Sequence, residues 1–230
     1  TRDLYPGKNV EGVVEIKGGS VAQEINHIGL KLKSYAKKKR GDDEVNVKIQ
    51  LHEERVSGKM KIEANEQKVI PFSFQLPFYT PITIRHGQVW IETDLDIDLS
   101  LDPTDTDFLK VHAHEELANF VEAFTILGFR LRQVEVEAQN GRFYQEWEFV
   151  PSSKREWRFD EIECMIEPNK DGLFMMVAVD KAGSHRGLTG LLQESLGLDE
   201  KKTSLSFKNE QLKDAQSIAK SVRAFLQQYN

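Results

Sequence analysis

From Gln88 to Leu101 the chain alternates: Val89, Ile91, Thr93, Leu95, Ile97, Leu99 and Leu101 point one way, and Gln88, Glu92, Asp94, Asp96, Asp98 and Ser100 the other. Trp90 alone is out of step. A period of two means an antiparallel strand with one face on a core and one in water, because successive side chains leave opposite faces of the pleat. At about 3.3 Å per residue so long a strand would run roughly 45 Å, which predicts a bulge or bend near Glu92 to Asp94.

The same period recurs upstream. A strand is expected around Val10 to Ile16, then a Gly18-Gly19 turn, then a long strand from Val21 to Ala36 that pairs with the first. Val45, Val47, Ile49 and Leu51 repeat the pattern, Lys59 to Ile62 gives a short strand, and Val69 to Leu76 follows. Pro71, Pro77 and Pro81 mark strand beginnings and edges, since proline donates nothing to a ladder. Closely spaced strands with turn residues between them make residues 1 to 111 an all-β sandwich.

After that the period changes. Leu117, Phe120, Val121, Phe124 and Leu127 follow helical spacing, and Gly128 stands where a helix stop belongs. Residues 112 to 230 therefore read as a second, α+β domain. Phe129 to Ala138 and Phe143 to Val150 flank Asn140-Gly141, a strong two-residue hairpin signal. A second hairpin is expected from Glu161 to Glu167 and Leu173 to Val179, a short helix from Leu188 to Leu196, and one more strand at Leu205 to Phe207. Asn209 is the expected cap of a long final helix whose stripe runs through Leu212, Ala215, Ile218, Ala219, Val222, Phe225, Leu226 and Tyr229. If that stripe is not covered at home, a homodimer is the expected remedy.

Composition narrows the function. At 230 residues the chain suits two domains of about 110 each. The net charge of −6 argues against general affinity for nucleic acid or anionic lipid. Cys164 is the single cysteine, so no internal disulfide forms; its apolar surroundings read as a buried small hydrophobe. No stretch approaches the roughly eighteen apolar residues of a membrane span, and no signal peptide opens the chain, so a cytoplasmic protein without direct membrane insertion is expected. The missing initiator Met predicts a first strand upstream of Thr1.

Several clusters invite a chemical reading. Asp94, Asp96, Asp98, Asp102 and Asp105 imitate the ligand spacing of a calcium loop, but Leu99 stands where that loop needs glycine. A strand also holds same-face carboxylates about 7 Å apart, too far to wrap one ion. A solvated acidic face is the plain reading, and a docking surface for a basic partner, formed by Asp94, Asp96 and Asp98, the functional one. His112-Ala113-His114-Glu115-Glu116 sits at a strand-to-helix junction; the rival reading of the chain is a metal-dependent hydrolase using Asp94, Asp96, His112 and His114. Lys37-Lys38-Lys39-Arg40 is answered across a turn by Gly41-Asp42-Asp43-Glu44, which predicts a self-neutralising hairpin tip. The loop from Lys181 to Gly190 lacks the ending of a nucleotide-binding loop, and adjacent Ser184 and His185 make no triad. Ser184 reads as a helix cap, and Lys181, His185 and Arg186 as a partner-binding corner.

Tyr5-Pro-Gly-Lys-Asn-Val-Glu-Gly-Val-Val-Glu-Ile16 and Ile70-Pro-Phe-Ser-Phe-Gln-Leu-Pro77 resemble two motifs of the arrestin family. With Val89 to Asp98, Leu101-Asp-Pro-Thr-Asp105, Leu127-Gly-Phe-Arg-Leu-Arg132, Gln145-Glu-Trp-Glu-Phe149 and Arg186-Gly-Leu-Thr-Gly-Leu-Leu192, they resemble the bacterial sporulation-control proteins, an arrestin-related family of spore-forming bacteria. The resemblance implies an arrestin-like antiparallel sandwich followed by an α+β domain. It also implies a regulatory, non-catalytic role in sporulation through protein contacts, without a cofactor, with cell-division or cytoskeletal partners and recruitment by them to the membrane or division site. Full arrestins carry two sandwiches and this chain has sequence for only one, which weighs against arrestin-type phosphate sensing.

Overall fold

Ile28, Leu30, Leu32, Ser34 and Ala36 are buried at every second position of one long strand. The computed structural model describes residues 3–40, 43–85, 87–97, 104–139, 142–153, 156–157, 160–180 and 204–229. It divides into two units: Thr1–Tyr35 with Asn46–Thr83 and Gln88–His112, and Ala36–Val45 with Ile84–Gly87 and Ala113–Asn230.

The strands of the first half are β1 (Asn9–Lys17), β2 (Gln23–Arg40), β3 (Asp43–Ser57), β4 (Met60–Ile62), β5 (Gln67–Gln75), β6 (Val89–Ile97) and β7 (Thr104–Leu109). β1 and β5 form an antiparallel pair of their own, while β2 pairs with β3, β4 and β6, and β7 lies outside β6. Val10, Val14 and Ile16 of β1, Phe74 of β5, Ile28, Leu30 and Leu32 of β2 and Ile91 of β6 fill the core of this unit. His52 of β3 stacks on Phe74 of β5 with ring centroids 5.3 Å apart, the face-to-face contact of a sandwich.

Two sequence expectations need correction here. β1 does not form a hairpin with β2: Gly18 N donates to Glu66 O at 2.8 Å, and a Cβ on Gly18 would lie 2.2 Å from Glu63 O. That close approach ties the end of β1 to the turn before β5, so β1 pairs with β5 and the chain crosses to the other sheet. β6 also carries no irregularity at Glu92 to Asp94. It runs in register with β2 from Val89 to Leu95, and the shift lies in β2, between Ile25 and His27. An extra residue on the partner strand bends the pair there.

The second unit starts with α1 (Glu115–Ile126), which ends at Gly128 in the left-handed region (φ 81) with Gly128 N on Thr125 O at 2.9 Å. It continues through β8 (Phe129–Gln139), β9 (Arg142–Pro151), β10 (Glu161–Asn169), β11 (Gly172–Asp180) and β12 (Ser204–Lys208) to α2 (Ala215–Leu226). The sheet order is β12-β11-β10-β9-β8, and the end of β2 adds in parallel through Lys37 opposite Glu137. The helices cover one face. Phe124 stacks on Phe149 at 3.9 Å, and Phe120 meets Trp147, Phe149 and Phe207 at 6.1, 6.4 and 6.3 Å.

The final helix starts later than its stripe. Asn209 is not its cap: it stands before a separate short turn, and its side-chain Nδ2 donates to Lys170 O of the β10–β11 turn at 2.8 Å. A 3-10 turn (Gln211–Lys213) follows, and Asp214 caps α2 by accepting from Gln216 N at 3.0 Å. Leu212, Ile218, Ala219, Val222, Phe225 and Leu226 are all buried within the single chain. The stripe is covered at home, so the motive it offered for a homodimer is absent. The expected helix at Leu188 to Leu196 lies outside the described residues.

Candidate functional site

β6 pairs edge to edge with β2, and antiparallel register decides what each carboxylate on its polar face meets. Asp94 stands opposite Gly29, Glu92 opposite Lys31, and Asp96 opposite His27. Lys31 reaches diagonally to Asp94 at 2.5 Å, Lys33 pairs with Glu92, and His27 Nδ1 lies 3.2 Å from Asp96 Oδ2. Asn26 Nδ2 also donates to Asp96, at 3.4 Å. The hydrogen bond to Asp94 raises the Lys31 ammonium above its usual range, against the pull of desolvation. The described part of the acidic face visible in the sequence is therefore met across the strands by Lys31, Lys33 and His27.

Trp90, the exception in the alternation, belongs to the polar face and is nevertheless buried, at 3% exposure. Tyr35 and Phe108 flank it with ring centroids 4.9 and 6.0 Å away. Phe108 is 65% exposed and belongs to β7, whose Asp105, Thr106 and Asp107 are exposed as well.

The residues of the metal reading are not brought together. Asp94 and Asp96 are held by Lys31 and His27, His112 Nε2 lies 3.2 Å from Asp3 Oδ1, and His114 Nδ1 lies 2.9 Å from Glu116 Oε2. Among the described residues no three His, Cys, Asp or Glu side chains are grouped to hold a metal ion. Asp98, Lys181, His185 and Arg186, the rest of the expected partner-binding set, lie outside the described residues.

A second charged surface went unnoticed in the sequence. On the face of the second unit's sheet away from the helices, Glu135 stands directly opposite Glu146, and Glu148 opposite Glu163. Lys37 Nζ binds Glu135 at 2.6 Å and stands 3.9 Å from Glu44, so the hairpin-tip lysine turns chiefly to β8. Arg132 pairs with the buried Glu148 and, at 2.8 Å, with Glu161. Burial and then Glu163, Glu137 and Glu135 push the Glu146 carboxyl up to about 8. Burial, with Glu137 and Glu146 adding to it, also drives the neighbouring Tyr144 hydroxyl well upward. The available signal was the repetition of glutamate at every second position of three successive strands: Glu135 and Glu137, Glu146 and Glu148, Glu161 and Glu163.

Cys164 is fully buried, and burial raises its thiol well above the usual range, which suppresses the thiolate and suits a packing role. No described helix is long and apolar enough to cross a membrane.

Comparison with known proteins places this architecture. The family model described as SpoOM protein matches residues 1–183. The chain is 35% identical to the sporulation-control protein spo0M of Bacillus subtilis (strain 168), over 99% of this chain and 90% of that one. It superposes on the crystal structure of Spo0M from Bacillus subtilis with a TM-score of 0.88 and 32% identity, covering 99% of this chain and 95% of the other. The fold is thus mainly β, an arrestin-like sandwich followed by an α+β domain with a terminal helix.

Proposed function

The chain belongs to the SpoOM protein family, and from that premise we propose that it is a non-catalytic regulator of sporulation that works by binding other proteins. The observation that carries the reading is the end-to-end likeness to a sporulation-control protein, over 99% of this chain in both sequence and structure. Cell-division or cytoskeletal proteins are the partner class, met in the cytoplasm or at the division site to which such partners recruit the chain. The physical support is the chemistry of the described surfaces. Glu92, Asp94 and Asp96 of the first unit's sheet are engaged by Lys33, Lys31 and His27, which suits a stable scaffold whose faces are read by other proteins.

The test is genetic and biochemical together. Deleting the gene in its native spore-former is expected to change spore yield, and the full chain supplied in trans to restore it. Cross-linked capture from sporulating cells with the intact chain is expected to return one or more proteins in stoichiometric amount. Normal spore yield in the deletion strain, with no protein captured above control, would defeat the reading.

A further inference from the structure

Glu92, Asp94 and Asp96 of β6 are engaged by β2, whereas two carboxylates of the neighbouring β7 are not. β7 is the last strand of its sheet; among the described residues nothing pairs with its outer edge. Its register with β6 sets Asp105 opposite Thr93 and Asp107 opposite the buried Ile91, so both carboxylates stand on the core-facing side of the sheet at its open margin. Both are exposed, and among the described residues neither is in an ion pair; Asp105 accepts from Thr106 N at 2.9 Å. Phe108, opposite Trp90, stands on the other side and is 65% exposed at the end of the Tyr35–Trp90–Phe108 row.

An open edge offers a row of backbone donors and acceptors, and inward-pointing charges are a device that keeps unwanted strands away. Here the guard is of one sign. A neutral apolar strand arriving at this edge would leave the two carboxylates facing its side chains without compensation. A second copy of β7 in antiparallel array about Thr106 would set Asp105 against Asp107, acid on acid. An extended segment with cations at alternate positions satisfies both, because residues two apart share a face at the spacing of Asp105 and Asp107.

We propose that the free edge of β7 docks an extended basic segment of a partner protein. That segment adds a strand to the sheet, sets Lys or Arg against Asp105 and Asp107, and lays an apolar side chain on Phe108. The inference rests on the adaptor reading above and deepens it by assigning a surface and a partner chemistry.

Calorimetric titration of the full chain with capped hexapeptides tests it. A peptide of alternating lysine and valine is expected to bind at least tenfold more tightly than one of alternating glutamate and valine, and than a block peptide of three lysines followed by three valines. Its amide shifts in NMR are expected to centre on residues 104–109. Asp105→Lys/Asp107→Lys is expected to reverse the lysine-over-glutamate preference, and Phe108→Ser to weaken the alternating lysine peptide several-fold with the unfolding midpoint unchanged. Equal binding of that peptide by wild type and the charge-reversed chain, equal binding of the block peptide, or amide shifts elsewhere would overturn the proposal. Capture from sporulating cells separates the two levels. If wild type and the charge-reversed chain retain the same proteins, the edge is refuted and the adaptor reading stands; if wild type retains none, the adaptor reading falls and the edge with it.

Discussion

On the outer face of β2 and β6, Glu92 and Asp94 each meet a lysine and Asp96 meets His27. On the face of β8, β9 and β10 away from the helices, where Glu148 and Tyr144 are buried, Glu135 stands across from Glu146 and Glu148 across from Glu163, with Lys37 and Arg132 as the cations that bind into the cluster. Both faces are written in the same period-two code. Their energetics differ because cross-strand neighbours, rather than neighbours in sequence, decide whether an acid is compensated. On the first face Glu92 and Asp94 each have a lysine partner. On the second, burial first and the facing glutamates after it push the Glu146 carboxyl upward, so that it holds its proton more tightly.

The largest effect that would break this contrast comes from Arg132. Replacing it with Met leaves Glu148, 4% exposed, without its cation, and a broken buried pair costs on the order of 2–4 kcal/mol. Urea unfolding at neutral pH should show that loss, and adding Glu148→Gln should recover most of it. If Arg132→Met is neutral, the second face is better compensated than its register implies.

Glu146 comes next. Its folded-state carboxyl, pushed up to about 8 from an ordinary value of 4.5, binds a proton more tightly than in the unfolded chain. Its contribution to stability is therefore complete below about pH 4.5 and is lost as pH rises through 8. Each tenfold change in proton affinity is worth about 1.4 kcal/mol, so Glu146→Gln, which mimics the protonated form, should gain on the order of 2–4 kcal/mol over wild type at pH 9 and almost nothing at pH 4.5. Unfolding curves across that range would show parallel lines for the two proteins if the carboxyl ionises normally.

On the balanced face the expected effects are smaller. A double-mutant cycle with Lys33→Met and Glu92→Gln should return a coupling of about 0.5–1 kcal/mol, shrinking in added salt. A coupling as large as that of Arg132 with Glu148 would erase the distinction between the two faces. Smallest of all, Phe108→Ser should change stability by no more than about 0.5 kcal/mol, because the ring is 65% exposed. A larger loss would mean that Phe108 serves the packing of Trp90 more than an outside partner.

Much of the architecture was legible because its signals are local. The helix at Leu117 to Leu127 and its stop at Gly128 follow from spacing and a left-handed glycine, and both hairpins of the second unit follow from short turns between alternating runs. What escaped were decisions made at a distance. Nothing in the sequence near Gly18 says that β1 will pair with β5 rather than β2, because the deciding contact is Glu63 O against a missing side chain. Asn209 looks like a helix cap, yet a 3-10 turn at Gln211–Lys213 intervenes and Asp214 takes that place. The acidic face was correctly seen as acidic, yet Lys31 and Lys33, some sixty positions away, are what neutralise it.

The order of hydrophobic and polar residues, by itself, determined the elements: where strands alternate and where a helix begins a second unit. That information is local, since burial of one face imposes a period on each element whatever its neighbours are. Tertiary structure alone decided the partners. Strand order and register set Asp94 beside a lysine, Glu146 beside another glutamate, and Asp105 and Asp107 at an open edge, because electrostatic compensation acts across space between strands that the sequence keeps far apart.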